Sequence, residues 1–235
     1  MPPVSSFETP GEAAYRRIRT DILLGRLPPG SKLKLDRLRL DYRTSISTLR
    51  EILSRLSSDR LVIAEAQRGF EVAPTSARNL HEVAALRLLL EGDALARSFA
   101  RGDVEWEGRV VAAHHKLALM EDRMAGGDSK AIEDWKQYDW QFHQALISAC
   151  GSGLLMATHA NVFDKYLRYQ MIALGFRGDI AAVEHRAIRD AALRRDTRTA
   201  CEILTVHVRG GVEHALASGP LPTGADVQTA RRNLK

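Results

Sequence analysis

The sequence predicts a mainly α chain in two parts: a small N-terminal helix-turn-helix unit closed by a β-hairpin, then an antiparallel all-α bundle of about six helices. Three observations carry this. Apolar residues recur at helical spacing through most of the 235 positions. Two strand-like runs, Leu61 to Ala64 and Phe70 to Ala73, flank a polar turn whose tip is Arg68-Gly69. Pro74-Thr75-Ser76 then separates that hairpin from helical periodicity with no further strand signal.

In order along the chain, residues 1–8 carry Pro and Ser without periodicity and are expected to be a disordered arm. Thr9-Pro10 reads as an N-cap followed by proline at the first helical position, and Ala14, Ile18, Ile22 and Leu23 give one apolar face, so the first helix covers about 10–25. Leu27-Pro28-Pro29-Gly30 is a turn. Leu38, Leu40 and Tyr42 mark a short second helix from Asp36. After the turn Arg43-Thr44-Ser45, a third helix runs from about Ser47 to Ser57, with Leu49, Ile52, Leu53 and Leu56 on one face. Two short helices joined by a tight turn and followed by a hairpin make a winged helix-turn-helix, the first domain, 9–74.

The second domain is expected over 77–217. Breaks at Arg101-Gly102-Asp103, Gly126 to Ser129, Cys150 to Gly153 and Gly175 to Asp179 divide it into helices of about 77–100, 103–125, 129–150, 152–174, 179–195 and 197–217. Residues 218–235, with Gly219-Pro220, Pro222 and Gly224, form a second expected disordered arm.

Charge is uneven. Residues 1–76 hold 13 Lys and Arg against 9 Asp and Glu, whereas 77–219 hold 18 against 19. A basic small domain beside a near-neutral larger one suits a polyanion contact made by the first domain. No apolar run approaches the ~20 residues a bilayer span needs, and Met1 to Ser6 has no basic segment leading an apolar core, so a cytoplasmic location without membrane partners is expected. Two cysteines, Cys150 and Cys201, are too few for a disulfide scaffold or a Cys-rich zinc finger and read as buried small apolar residues.

The sharpest chemistry lies late in the chain. Asp139 and His143 are four apart, so they project from one helix face and can chelate one ion. His185 and His207 fall on the last two helices, which as antiparallel neighbours could close the site. One carboxylate and three imidazoles suit Zn²⁺, Ni²⁺ or another first-row divalent ion. The alternatives are that each histidine is a satisfied core or surface residue, or that the centre activates water in a metal-dependent hydrolase. Asp190 and Glu184 flank the region, and neither is clearly placed as a general base. His81, His114, His115, His159 and His214 read as surface or packing residues.

Ile22 to Leu33, including Gly25-Arg26-Leu27-Pro28-Pro29-Gly30, then Leu49-Arg50-Glu51-Ile52-Leu53, then Arg68-Gly69-Phe70-Glu71-Val72-Ala73 together resemble the GntR family of bacterial regulators. One departure is Ile46, where that family usually has an arginine. The third helix opens with Ser45, Ser47, Thr48 and Arg50, short hydroxyls and a guanidinium at the end that meets base edges and phosphates in helix-turn-helix docking. Arg68 could enter a minor groove or hold a phosphate, and Gly69 would let the wing backbone approach.

Residues 77–217 resemble the FadR-type C-terminal effector domain, FCD, through Arg87 with Glu91, Asp139-Trp140-Gln141-Phe142-His143, Glu184-His185-Arg186-Ala187-Ile188 and His207. The six-helix VanR-like branch is the nearest form, and Ala149-Cys150-Gly151-Ser152 is similar to CsiR-like members. The resemblance implies a transcription regulator rather than an enzyme, with operator DNA, a homodimeric state and a small organic acid as partners. It implies a carboxylate effector beside the metal, held by Arg87, with Arg168 as a second candidate on the fourth helix of the bundle. The implied action is a repressor released by effector; a regulator sensing the metal itself is the other reading.

Overall fold

The computed structural model describes residues 9–65, 69–173 and 177–218, and the chain divides into two compact units between Thr75 and Ser76. The expected arms at 1–8 and 219–235, and Arg68, lie outside the described residues.

In the first unit, helix α1 (Pro10–Leu23) starts where predicted: the Thr9 hydroxyl accepts the Glu12 N–H at 3.2 Å and Pro10 fills a position that has no N–H to lose. It stops at Leu23, two residues short of the expectation, because Gly25 takes φ 74° and turns the chain. Helices α2 (Leu35–Asp41) and α3 (Ile46–Ser58) follow. Ile18, Ile22, Leu49, Leu53 and Leu56 are fully buried together, which is the physical reason the helical period of 3.6 was so readable here. The Tyr42 hydroxyl donates to Asp21 Oδ2 at 2.6 Å and ties the end of α2 to α1.

The sheet is larger than the predicted hairpin. Strands β2 (Val62–Glu65) and β3 (Gly69–Val72) pair antiparallel as expected, but Lys32–Leu33 forms a further strand, β1, on the other edge of β3, giving the order β1-β3-β2. Two residues cannot display an alternating pattern, so only pairing reveals β1. Leu33 and Val72 turn inward onto the helices and close the core.

In the second unit lie α4 (Ala77–Arg101), α5 (Val104–Ala125), a single 3₁₀ turn at Ser129–Ala131, α6 (Ile132–Ile147), α7 (Gly153–Ile172), α8 (Asp179–Leu193) and α9 (Thr197–Ser218). Ser76, Asp103 and Ser152 cap α4, α5 and α7 with their side chains. Helix α6 starts three residues later than predicted because that 3₁₀ turn precedes it. Neighbours in sequence pack as hairpins, α5 on α6 and α8 on α9, while α4 lies against α7 and α9, and α8 also meets α5. Their shared core includes Leu80, Leu95, Trp106, Leu117, Phe142, Ile188 and Val208. Trp106 donates its indole N–H to the Leu146 carbonyl at 3.2 Å, pinning α5 to α6. Cys150 is buried as expected and Cys201 only half so. No described helix is long and apolar enough to cross a membrane.

Candidate functional site

Five helices converge on the candidate metal centre. Asp139 and His143 stand one turn apart on α6, His185 comes from α8 and His207 from α9; all four are buried, and each offers a ligand atom within 4.8 Å of the others'. The His185 and His207 rings lie 4.5 Å apart between centroids, and the His143 ring is 5.4 Å from that of His207. Spacing in the sequence anticipated this gathering. It did not anticipate what stands behind the imidazoles.

Each histidine has a glutamate at Nδ1. Glu91 of α4 takes His143, Glu121 of α5 takes His185 at 2.6 Å, and Glu184 of α8 takes His207 at 2.8 Å. A carboxylate at Nδ1 requires the hydrogen there and leaves the Nε2 lone pair for the centre, the arrangement that orients and polarises metal-binding imidazoles. Glu184, which the sequence shows only as flanking the region, is buried and bonded to both His207 and Arg177. Glu121 had no sequence signal at all, since a charge on an amphipathic helix ordinarily faces water.

The residues fit a divalent ion by a direct observation. Buried His185 Nε2 makes no hydrogen bond; it sits 3.2 Å from Asp139 Oδ1 but is not aligned with it. Burial alone would raise the Asp139 carboxyl, yet Lys136, His185 and His143 outweigh it and hold it far below the usual carboxylate range. Burial would lower His185, but Asp139 and Glu121 raise it to about 9. Burial, reinforced by the charge on His185, pushes His207 down to about 3. The pocket is thus a set of buried acids around three buried imidazoles, a donor set that could hold a divalent cation.

Arg87 does reach this cluster. Its Nε donates to Glu91 Oε2 at 2.9 Å, its Nη2 lies 3.2 Å from both ring nitrogens of His143, and its plane covers Phe163 and Tyr166. Glu91 also accepts from His159 Nε2 at 3.0 Å, and His159 Nδ1 meets Gln144 at 2.9 Å, so His159, read as packing, belongs to the chain of bonds behind His143. Arg168 is not brought there. It is buried on α7, two residues from Tyr166, and a 200° turn of helix points it away from the face that Arg87 covers. A small pocket of about 10 Å³, room for roughly one water, instead lies between Lys136, Asp139, Gln170, Arg177, His185 and His207. Lys136 and Gln170 bond to each other, and burial lowers the Lys136 ammonium to about 8.

In the first unit, Ser45, Ser47 and Arg50 are exposed at the start of α3 and Thr48 is partly so. Ser45 is the N-cap: its Oγ accepts the Thr48 N–H at 3.1 Å and lies 2.8 Å from the Ser47 hydroxyl. Gly69, at the start of β3, has φ 88°, which L side chains rarely adopt, with nothing within 4 Å of where a Cβ would stand.

Residues 10–72 match the model of the bacterial regulatory proteins of the gntR family, and residues 82–210 match that of the FCD domain. The chain is 37% identical over 212 residues to the HTH-type transcriptional regulator BphR of Paraburkholderia xenovorans, covering 89% of this chain and 86% of that one. It is 32% identical over 202 residues to the HTH-type transcriptional repressor GlaR of Escherichia coli, covering 83% and 90%. The fold is that of McbR/YncC from E. coli, with TM-score 0.75, 18% identity, and 90% and 99% coverage. A GntR regulator from Rhodococcus sp. RHA1 gives TM-score 0.71, 24% identity, and 88% and 98% coverage. These matches make the hydrolase reading untenable: the chain belongs to the GntR family of DNA-binding transcription regulators and carries an FCD domain.

Proposed function

We propose that this regulator is a homodimeric repressor, loaded with a divalent ion at Asp139, His143, His185 and His207 and released from its operator by a small carboxylate bound beside that ion. The observation that carries the reading is the pairing of three buried imidazoles with three glutamates around one more buried carboxylate, a donor set suited to zinc or nickel. When bound, the ion supplies concentrated positive charge and an acceptor for an oxygen donor. Glu91, Glu121 and Glu184 hold the ring orientations, while Phe142 and Phe163 border the imidazoles and exclude water. Arg87 serves this reading by fixing Glu91 and His143 from the side.

At the other unit, α3 enters a major groove, Arg50 reaches a base edge or phosphate, and Ser47 and Thr48 contact the backbone beside it. Ser45 organises that helix end. Arg68 and Gly69 form the wing contact. A two-fold dimer matches a pseudo-palindromic operator, and the E. coli relative's name as a repressor supports repression. The acid acts by binding one arrangement of the two DNA-reading units better than the other.

The test is fluorescence-anisotropy binding to DNA from upstream of the chain's own gene, with random DNA as competitor. Tight binding that survives the competitor and weakens with carboxylates only when metal is loaded supports the proposal. Binding that no acid alters, with or without metal, sinks the effector claim. A response to chelation in the absence of any acid would make the ion itself the signal.

A further inference from the structure

Three cations border the buried acids of the metal centre, and two of them are matched. Arg87 pairs with Glu91 and Arg177 with Glu184, each at 2.9 Å. Lys136 is different. It sits on α6 one turn before Asp139, is only 3% exposed, and its ammonium bonds to the neutral amide of Gln170 and lies 3.7 Å from the Trp135 ring centroid. It makes no ion pair with any carboxylate of the described residues. A buried ammonium held by an amide and a ring keeps most of its desolvation cost.

The charges around the cavity give the missing partner. With Arg87 and Arg177 neutralised by Glu91 and Glu184, the remaining acids are Asp139 and Glu121, which one divalent ion offsets. Lys136 then leaves the loaded pocket one negative charge short. Lys136, Gln170 and Asp139 line the same small cavity as His185 and His207. Resting on the carboxylate-effector reading above, we propose that Lys136, held in place by Gln170, is the residue that binds the effector's carboxylate. Arg87 is the positioning residue for Glu91 and His143, and Arg168 plays no part in the pocket.

The experiment uses zinc-loaded full-length protein titrated calorimetrically with acetate, butyrate and 2-hydroxybutyrate, with butyramide as the uncharged control. Metal content is measured on every sample. Wild type should bind carboxylates and not the amide. Lys136→Met should weaken carboxylate binding about tenfold or more, the loss expected when a hydrogen bond to a charged group disappears, with metal content unchanged. Gln170→Leu adds no charge and removes only the amide that holds Lys136 in place, so it should weaken carboxylate binding in the same sense with metal content unchanged.

Carboxylate affinity unchanged in both variants overturns the Lys136 assignment and leaves the effector reading standing. Loss of the metal with Lys136→Met also overturns it, since Lys136 would then be maintaining the ion site. Failure of every carboxylate to bind loaded wild type overturns the effector reading and this inference with it.

Discussion

His185 faces two acids, Glu121 and Asp139, so a divalent ion at the proposed site would compete there with a proton. With its pKa raised to about 9, the ion-free protein keeps this imidazole protonated near neutral pH. That shift stabilises the ion-free fold, fully below pH 6.5 and progressively less as pH rises through about 9. Loading zinc should therefore release about one proton near neutral pH, and affinity should climb with pH up to about 9. Calorimetry in two buffers of different protonation enthalpy reads the proton directly, and zero release would contradict a charged His185. Glu121→Gln removes the negative charge behind that ring and should cost about 10- to 100-fold in metal affinity, measured against a chromophoric chelator. On the DNA side, Arg50→Ala should weaken operator binding by about an order of magnitude or more, as loss of a contact worth roughly 1–3 kcal/mol implies; unchanged anisotropy would remove Arg50 from the interface. Asp139 and His143 were legible because i,i+4 spacing puts two side chains on one helix face whatever the packing, and His185 and His207 because they fall on the last two helices, at positions that the family resemblance also marks. Glu121 and Lys136 were not, and Glu91 and Glu184 were marked without their role behind the imidazoles, because a charge on a helix is normally spent on water and only the assembled bundle turns these inward.

At the scale of elements, a glycine makes room for a side-chain bond between α7 and α9. The Tyr166 hydroxyl donates to the Val208 carbonyl at 2.9 Å, and a Cβ at Gly211 would stand 2.0 Å from that hydroxyl. Gly211→Ala should therefore destabilise the bundle by about 1–3 kcal/mol through overpacking. Because His207 lies one turn away on the same helix, the variant should also bind metal more weakly, and thermal melts with and without zinc would show both effects. Helix boundaries were readable to within a few residues, since caps and glycines sit at the ends and apolar faces repeat between them. The strand at Lys32–Leu33 and the 3₁₀ turn before α6 were not, because each is shorter than one repeat of any pattern.

The whole molecule contains two separate cores, one built from Ile18, Ile22, Leu49 and Leu53, the other from Leu95, Trp106, Phe142 and Val208. With a core in each, the two units should melt in separate events. Chelation should lower the transition of the metal-bearing unit and leave that of the DNA-reading unit in place, and scanning calorimetry of loaded and stripped protein tests this; a single transition moved as a whole would mean that the units unfold together. Leu53→Ala should act in the opposite sense, costing roughly 2–5 kcal/mol in the first unit while metal content holds. Within the second unit, α6 carries Lys136, Asp139 and His143 on one face, seven residue steps or about 10 Å of helix from first to last. A change in the preferred acid would therefore be reachable by substitution at positions 136 and 170 alone, with the proposed ion-holding turn from 139 to 143 left as it stands.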